Sequence, residues 1–152
     1  MFCGVVALLV AATRDVLHRV IPDLCVLVIA IAGLAMRLDD GFGVLAASLG
    51  IAVLLFAAMV SLFHLGALGG GDVKLLAAAS LLSPPAAVPG QLMLIAFAGG
   101  ILAVGWIVRR KLQSSTSATA DADLAPAQSE DSGLPYGVAI CAGTLIHLAL
   151  LP

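Results

Sequence analysis

Two aspartates stand where an acid is costly, at the edges of apolar runs, and each therefore calls for a reason. Asp15 lies in Arg14-Asp15-Val16-Leu17-His18-Arg19-Val20-Ile21-Pro22-Asp23, directly after the first apolar run. Asp72 closes Gly69-Gly70-Gly71-Asp72 and precedes Val73-Lys74-Leu75. Two carboxyls sharing a low-dielectric site do not both ionise easily, so one keeps its proton and the pair holds an acid beside a base. The ionised member can activate a water while the protonated one polarises a peptide carbonyl. That is peptide hydrolysis by paired aspartates, with neither a metal nor a nucleophilic side chain. The titration then belongs to the pair.

The glycines ahead of Asp72 suit such chemistry, since they admit positive φ and leave no Cβ against a neighbouring helix or an extended substrate strand. The other reading of the same spacing is a loop with Asp as a helix cap, favoured by the helix dipole. Lys74 reads either as an electrostatic partner keeping a carboxylate ionised or, more plainly, as a lysine snorkelling to an interface. Asp23, after Pro22, is expected to cap the next helix. His18 and Arg19 are assigned to lipid or topology and His64 to an interface. Trp106 reads as an anchor near Arg109, and His147 as a hydrogen-bonded side chain facing other helices. Cys3, Cys25 and Cys141 form no C-x-x-C pair, so no metal site is expected and they read as small packing residues.

The elements that position these groups are membrane helices. The 152 residues are 62% hydrophobic and 11% charged, with a mean hydropathy of +1.17. A soluble domain of this length needs more polar surface, whereas lipid solvates apolar side chains directly. A net charge of −2 without a basic stripe gives no sign of nucleic acid. Three charge-free runs, 44–63, 88–108 and 134–151, are long enough to span. Shorter runs at 2–13, 24–36 and 75–82 complete an expected bundle of six helices. The first is a retained span rather than a signal peptide, because no basic residue precedes it. Loops after spans one, three and five carry Arg14, Arg19, Lys74, Arg109, Arg110 and Lys111, which makes that side cytoplasmic and sets both termini outside. Asp15 and Asp72 then share the cytoplasmic side. Pro84, Pro85 and Pro89 mark an outer turn. Residues 113–133, rich in Ser, Thr, Ala and Asp, read as a flexible cytoplasmic loop within a single membrane unit covering 1–152.

Gly69-x-Gly71-Asp72 followed by Val73-Lys74-Leu75-Leu76 resembles the GxGD signature of type IV prepilin peptidases. Asp15 with Arg19, Ile21, Pro22 and Asp23 resembles the first aspartate motif of that family. Leu134-Pro135-Tyr136-Gly137-Val138-Ala139 resembles its proline–aromatic–glycine start of the last span. The match is nearest to the short peptidases serving Flp-type (tight-adherence) pili. The resemblance implies that Asp15 and Asp72 are the catalytic pair and that Gly69, Gly71, Lys74, Pro135, Tyr136 and Gly137 shape the site. It implies an inner-membrane enzyme needing no cofactor. Its partner is a pilin precursor with a short, positively charged leader, cut on the cytoplasmic side before the hydrophobic segment. Long family members carry paired C-x-x-C zinc motifs between spans one and two and also N-methylate the pilin. Residues 14–23 contain no cysteine, so N-methylation is not expected of this chain. The competing classes are a small transporter or proton-relay subunit, which requires acids along a path across the bilayer, and a non-catalytic assembly factor.

Overall fold

The computed structural model describes residues 2–18, 21–66, 68–116 and 136–150, and among these every regular element is helical. In chain order they are α1 (Phe2–His18), α2 (Asp23–Asp39), α3 (Phe42–His64), α4 (Gly70–Ser80), α5 (Val88–Thr116) and α6 (Tyr136–Leu150), with a 3-10 turn at Pro85–Ala87. The expected six helices are all present. Two of them, 42–64 and 85–109 with the 3-10 turn included, are long and apolar enough to cross a membrane. Apolar side chains such as Phe2, Leu24, Phe42, Leu54 and Ile101 stand exposed on the outside of the bundle. A water-soluble surface does not tolerate that much apolar exposure, and a lipid-facing one favours it.

The core is small and dense. Leu8 and Ala11 of α1, Ile29 of α2, Leu75 and Ala79 of α4 and Ile140 of α6 form one cluster. Short α4 sits between α2, α3 and α6, and α6 also packs on α1 and α5. Close approaches depend on missing side chains. A Cβ on Gly33 would fall 2.7 Å from Leu81 Cβ, and one on Gly143 would fall 2.5 Å from the Ile95 backbone. These glycines set the α2–α4 and α5–α6 distances, the usual role of small residues between membrane helices. Three hydrogen bonds tie α5 to α4 and α6, and α6 to α1. The Gln91 amide donates to Ala79 O (3.0 Å) and Thr144 Oγ1 (3.2 Å), and the Cys141 thiol donates to Leu8 O (3.0 Å).

Several sequence expectations need correction. The helix α5 continues to Thr116, so residues 113–116 are helical and not loop; the rest of the expected loop, 117–133, lies outside the described residues. Positive φ occurs at Gly41 (102°) and Gly66 (72°), in the turns before α3 and after it. Gly69 is extended (φ −76°) and Gly70 and Gly71 are helical, so the glycine run opens a helix rather than forming a flexible turn. His147 is buried as expected, yet its Nε2 has no hydrogen-bond partner among the described residues. Arg37 is buried near the end of α2 and pairs with Asp40 at 2.8 Å.

Candidate active site

Asp15 reaches the interior because of helical phase. The buried positions of α1 are Gly4, Ala7, Leu8, Ala11 and Asp15, a single stripe at the helix period. Asp15 is the next member of an apolar stripe and is only 7% exposed. Asp72 reaches the same end of the bundle from α4, where Gly69 is the N-cap and Asp72 the third helical residue. Its backbone N–H donates to Gly69 O at 3.1 Å, and its carboxylate accepts in return from the Gly69 N–H. This is the acid half of a capping box, with the acid three residues inside a glycine cap that has no side chain to complete the other half. It fixes the Asp72 rotamer without spending the rest of the carboxylate.

The two acids line one polar cup of about 330 Å³, together with Ile21, Asp23, Gly69, Gly70, Gly71 and Lys74. Asp72 stands ahead of the apolar run that starts at Leu75. Burial raises its carboxyl from an ordinary 3.8 to about 6, the charge of Asp15 pushes the same way, and the Gly69 N–H opposes both. The charge of Asp15 is thus felt at Asp72 across the cup.

The expected shaping residues divide into three kinds. Gly137 is buried at the start of α6, where a Cβ would fall 2.6 Å from Asp15 Oδ2. Gly69 would bring a Cβ to 3.0 Å from Asp72 Oδ2. Gly71 lines the cup beside both acids, and a Cβ on it would meet Ile21 at 3.4 Å. Tyr136, the first residue of α6, lines a neighbouring apolar groove that also reaches Asp72. Pro135 lies outside the described residues, as does Arg19 of the first motif.

Lys74 and Asp23 correct the sequence reading together. Asp23 does not cap α2; the N-cap is Pro22, with no side-chain cap bond. Asp23 Oδ1 instead accepts from Lys74 Nζ at 2.9 Å. Lys74 is thus neither a direct partner of Asp15 or Asp72 nor a free snorkelling lysine. The pair joins the start of α2 to the first turn of α4 at the rim of the cup. Asp23 lines the cup, a placement that its reading as a helix cap did not foresee. Its signal was a Pro at the preceding position, which already starts the helix and releases the acid from capping. Among the described residues no group of three or more His, Cys, Asp or Glu side chains is arranged to hold a metal ion.

The architecture has a counterpart among known sequences. The profile of the type IV leader peptidase family matches residues 2–104, a stretch that carries Asp15, Asp23, Gly69–Gly71, Asp72 and Lys74 and ends before Gly137. Searches of curated proteins and of solved structures return no match. With that profile covering about two-thirds of its length, the chain belongs to the type IV leader peptidase family.

Proposed function

We propose that the chain is an aspartic endopeptidase of the inner membrane that removes the short basic leader from Flp-type pilin precursors, with Asp15 and Asp72 as its catalytic pair. The observation that carries the proposal is the convergence of these two acids, from α1 and α4, on one small polar cup. The protonated carboxyl donates to the scissile carbonyl oxygen. The ionised one takes a proton from water, whose oxygen adds to the carbonyl carbon. Collapse of the tetrahedral intermediate, with protonation of the leaving amine, breaks the C–N bond. Asp72, raised by burial and by its neighbour, is the natural holder of the shared proton. The Asp23–Lys74 pair and the Gly69 N–H keep the surrounding charge fixed while the proton moves.

The same reading places six spans in the membrane, with the cup at the cytoplasmic face and both termini outside, and treats residues 1–152 as one unit. Arg14, Lys74 and Arg109 fall at the cytoplasmic end in this arrangement, as the distribution of basic residues requires. Location of both acids at one end of the bundle disfavours a proton path across it.

The test is cleavage of a synthetic Flp-type precursor by the purified chain. Asp15→Asn and Asp72→Asn are each expected to abolish cleavage while accumulating normally in the membrane. Normal cleavage by either variant refutes the assignment.

A further inference from the structure

At the end of the bundle opposite the cup, one buried side chain joins two helices that lead back to the acids. Gln91, in the first turn of α5, is only 1% exposed. Its amide uses both hydrogens, one on Ala79 O at the end of α4 (3.0 Å) and the other on Thr144 Oγ1 of α6 (3.2 Å). Ala79 O already accepts from the Leu82 N–H (3.1 Å), so the amide takes the second lone pair of a carbonyl near a helix end. A carbonyl can only accept, which settles the end of the amide that faces it. Oε1 is left without a partner among the described residues. A methionine would fill the same space without stranding a buried acceptor, so filling space is not what the amide adds. What it adds is a fixed distance between α4 and α6.

The other ends of those two helices build the site. Ala79 stands two turns from Asp72 along α4, and Thr144 two turns from Gly137 along α6, about 10.5 Å in each case at 1.5 Å per residue. Residues at that spacing share a helix face. Gly137 in turn backs onto the Asp15 carboxylate, and the Cys141 thiol on Leu8 O (3.0 Å) holds α6 to α1, which carries Asp15. The position of Asp72 relative to Asp15 is therefore the position of α4 relative to α1 and α6. Near the cup an apolar groove opens between α4 and α6, bordered by Asp72 and Leu76 on one side and by Tyr136 and Ala139 on the other. Farther along, Leu75, Ala79 and Ile140 meet in the core cluster, and Gln91 ties the helices beyond it. The tie lies at the closed end of a gap whose open end is at Asp72.

We infer that Gln91 is a positioning residue for the hydrolysis: it sets the separation of Asp15 and Asp72 from the opposite end of α4 and α6, without touching substrate. The inference rests on the reading of these acids as the catalytic pair for its effect on rate, though not for its effect on their separation. Loss of the tie lets α4 pivot away from α6, and a rigid helix carries a movement at Ala79 along to Asp72. Misplacing reacting groups by about 1 Å can lower a rate about a hundredfold. Wider separation also weakens the charge of Asp15 at Asp72 and admits water to the cup, and both changes lower the Asp72 carboxyl from about 6. The remaining charged residues of the cup are Asp23 and Lys74, which bond to each other.

Two measurements on the full chain in detergent test it: cleavage of a synthetic Flp-type precursor, and pH titration of isotope-labelled aspartate carboxyls by NMR, the Asp72 signal being the one lost in Asp72→Asn. Gln91→Met is expected to lower kcat about tenfold while changing KM less than about twofold, and to move both the Asp72 titration and the basic limb of kcat to lower pH. Thr144→Val, which removes one acceptor at nearly constant shape, is expected to go part of the way. Thr144→Ser keeps the hydroxyl and is expected to behave as the parent. The two Thr144 variants carry the same comparison should Gln91→Met fail to accumulate. A lower Tm with kcat and the titration unchanged is what a merely structural bond gives, and it overturns the inference. So does a Thr144→Ser variant as impaired as Thr144→Val. The titration needs no turnover, so a lowered Asp72 titration in Gln91→Met, with undiminished cleavage by Asp72→Asn, sinks the catalytic assignment and leaves the tie standing.

Discussion

Gly137 lies so close to Asp15 that a methyl group on it would sit 2.6 Å from Oδ2 and 2.9 Å from Cγ. The last helix thus packs its backbone against a buried carboxylate of the first, and the rotamer of that carboxylate depends on a missing side chain. Gly137→Ala is expected to turn the Asp15 carboxyl away from the cup or to push α6 off α1. Either adjustment costs about 1–3 kcal/mol, as overpacking of an interior does. Cleavage is expected to fall at least tenfold, with a lower Tm. Unaltered cleavage removes Gly137 from the site.

Asp72 provides a stability test with a definite sign. Its folded value of about 6 exceeds the ordinary 3.8, so between these pH values the folded chain binds more protons than the unfolded one. Stability from this group therefore falls as pH rises through that window, and the full penalty remains above about 6. Asp72→Asn removes the penalty. The variant is expected to melt above the parent in detergent at pH 8, with the difference closing below about pH 4. A variant that melts below the parent at pH 8 contradicts the half-buried, raised carboxyl.

The pH dependence of cleavage follows from the same group acting as proton holder. Loss of its proton leaves two carboxylates and no acid, so the parent's rate is expected to decline as pH rises past about 6. Gly69 moderates this through its N–H on the carboxylate. Gly69→Pro removes that donor and also sets a Cβ 3.0 Å from Asp72 Oδ2; both changes disfavour the carboxylate, so the decline is expected to move to higher pH, measured as the basic limb of kcat against pH.

How far these relationships can be read from sequence differs from residue to residue. The apolar runs at 44–63 and 88–108 announced α3 and α5 because lipid leaves few alternatives for an uncharged stretch of that length. Asp15 and Asp72 could be paired from their places at the ends of runs on one side. The phase of Asp15 was also legible, since Gly4, Ala7, Leu8 and Ala11 lead to it at helical spacing, although the first span read as ending at Thr13. What local pattern does not contain is which remote partner a side chain meets. Asp23 read as a cap because capping is a local interaction, whereas its bond to Lys74 exists only once α2 and α4 are packed. The glycine run was read half correctly: its freedom for positive φ is not used, since Gly69 is extended and Gly70 and Gly71 are helical, whereas the absence of a side chain beside Asp72 and Ile21 is used.

The Asp23–Lys74 pair is exposed at both ends, and such pairs contribute less than about 1 kcal/mol. Lys74→Met is therefore expected to leave Tm nearly unchanged. Its effect is expected in the field of the cup, where loss of the cation favours protonated carboxyls and moves the basic limb of kcat upward in pH. High salt should reproduce part of that shift in the parent chain. A large fall in Tm would mean that the pair is structural.

The close helix contacts give the last prediction, because glycines with different surroundings should respond oppositely to the same substitution. Gly33 and Gly143 face backbone at 2.8 Å and 2.5 Å, and backbone cannot rotate away as a side-chain tip can. Gly33→Ala and Gly143→Ala must separate α2 from α4 and α5 from α6, each at a cost of about 1–3 kcal/mol. Separation at Gly33 tilts α4, which carries Asp72, whereas separation at Gly143 opens the groove further along the bundle. Gly105, also helical, has nothing within 4 Å of a Cβ. There the substitution only reduces the freedom of the unfolded chain and is expected to stabilise by about 0.5–1 kcal/mol. Thermal melts of the three variants in one detergent decide the matter: if all three shift Tm in the same direction, the helix distances are not set by Gly33 and Gly143.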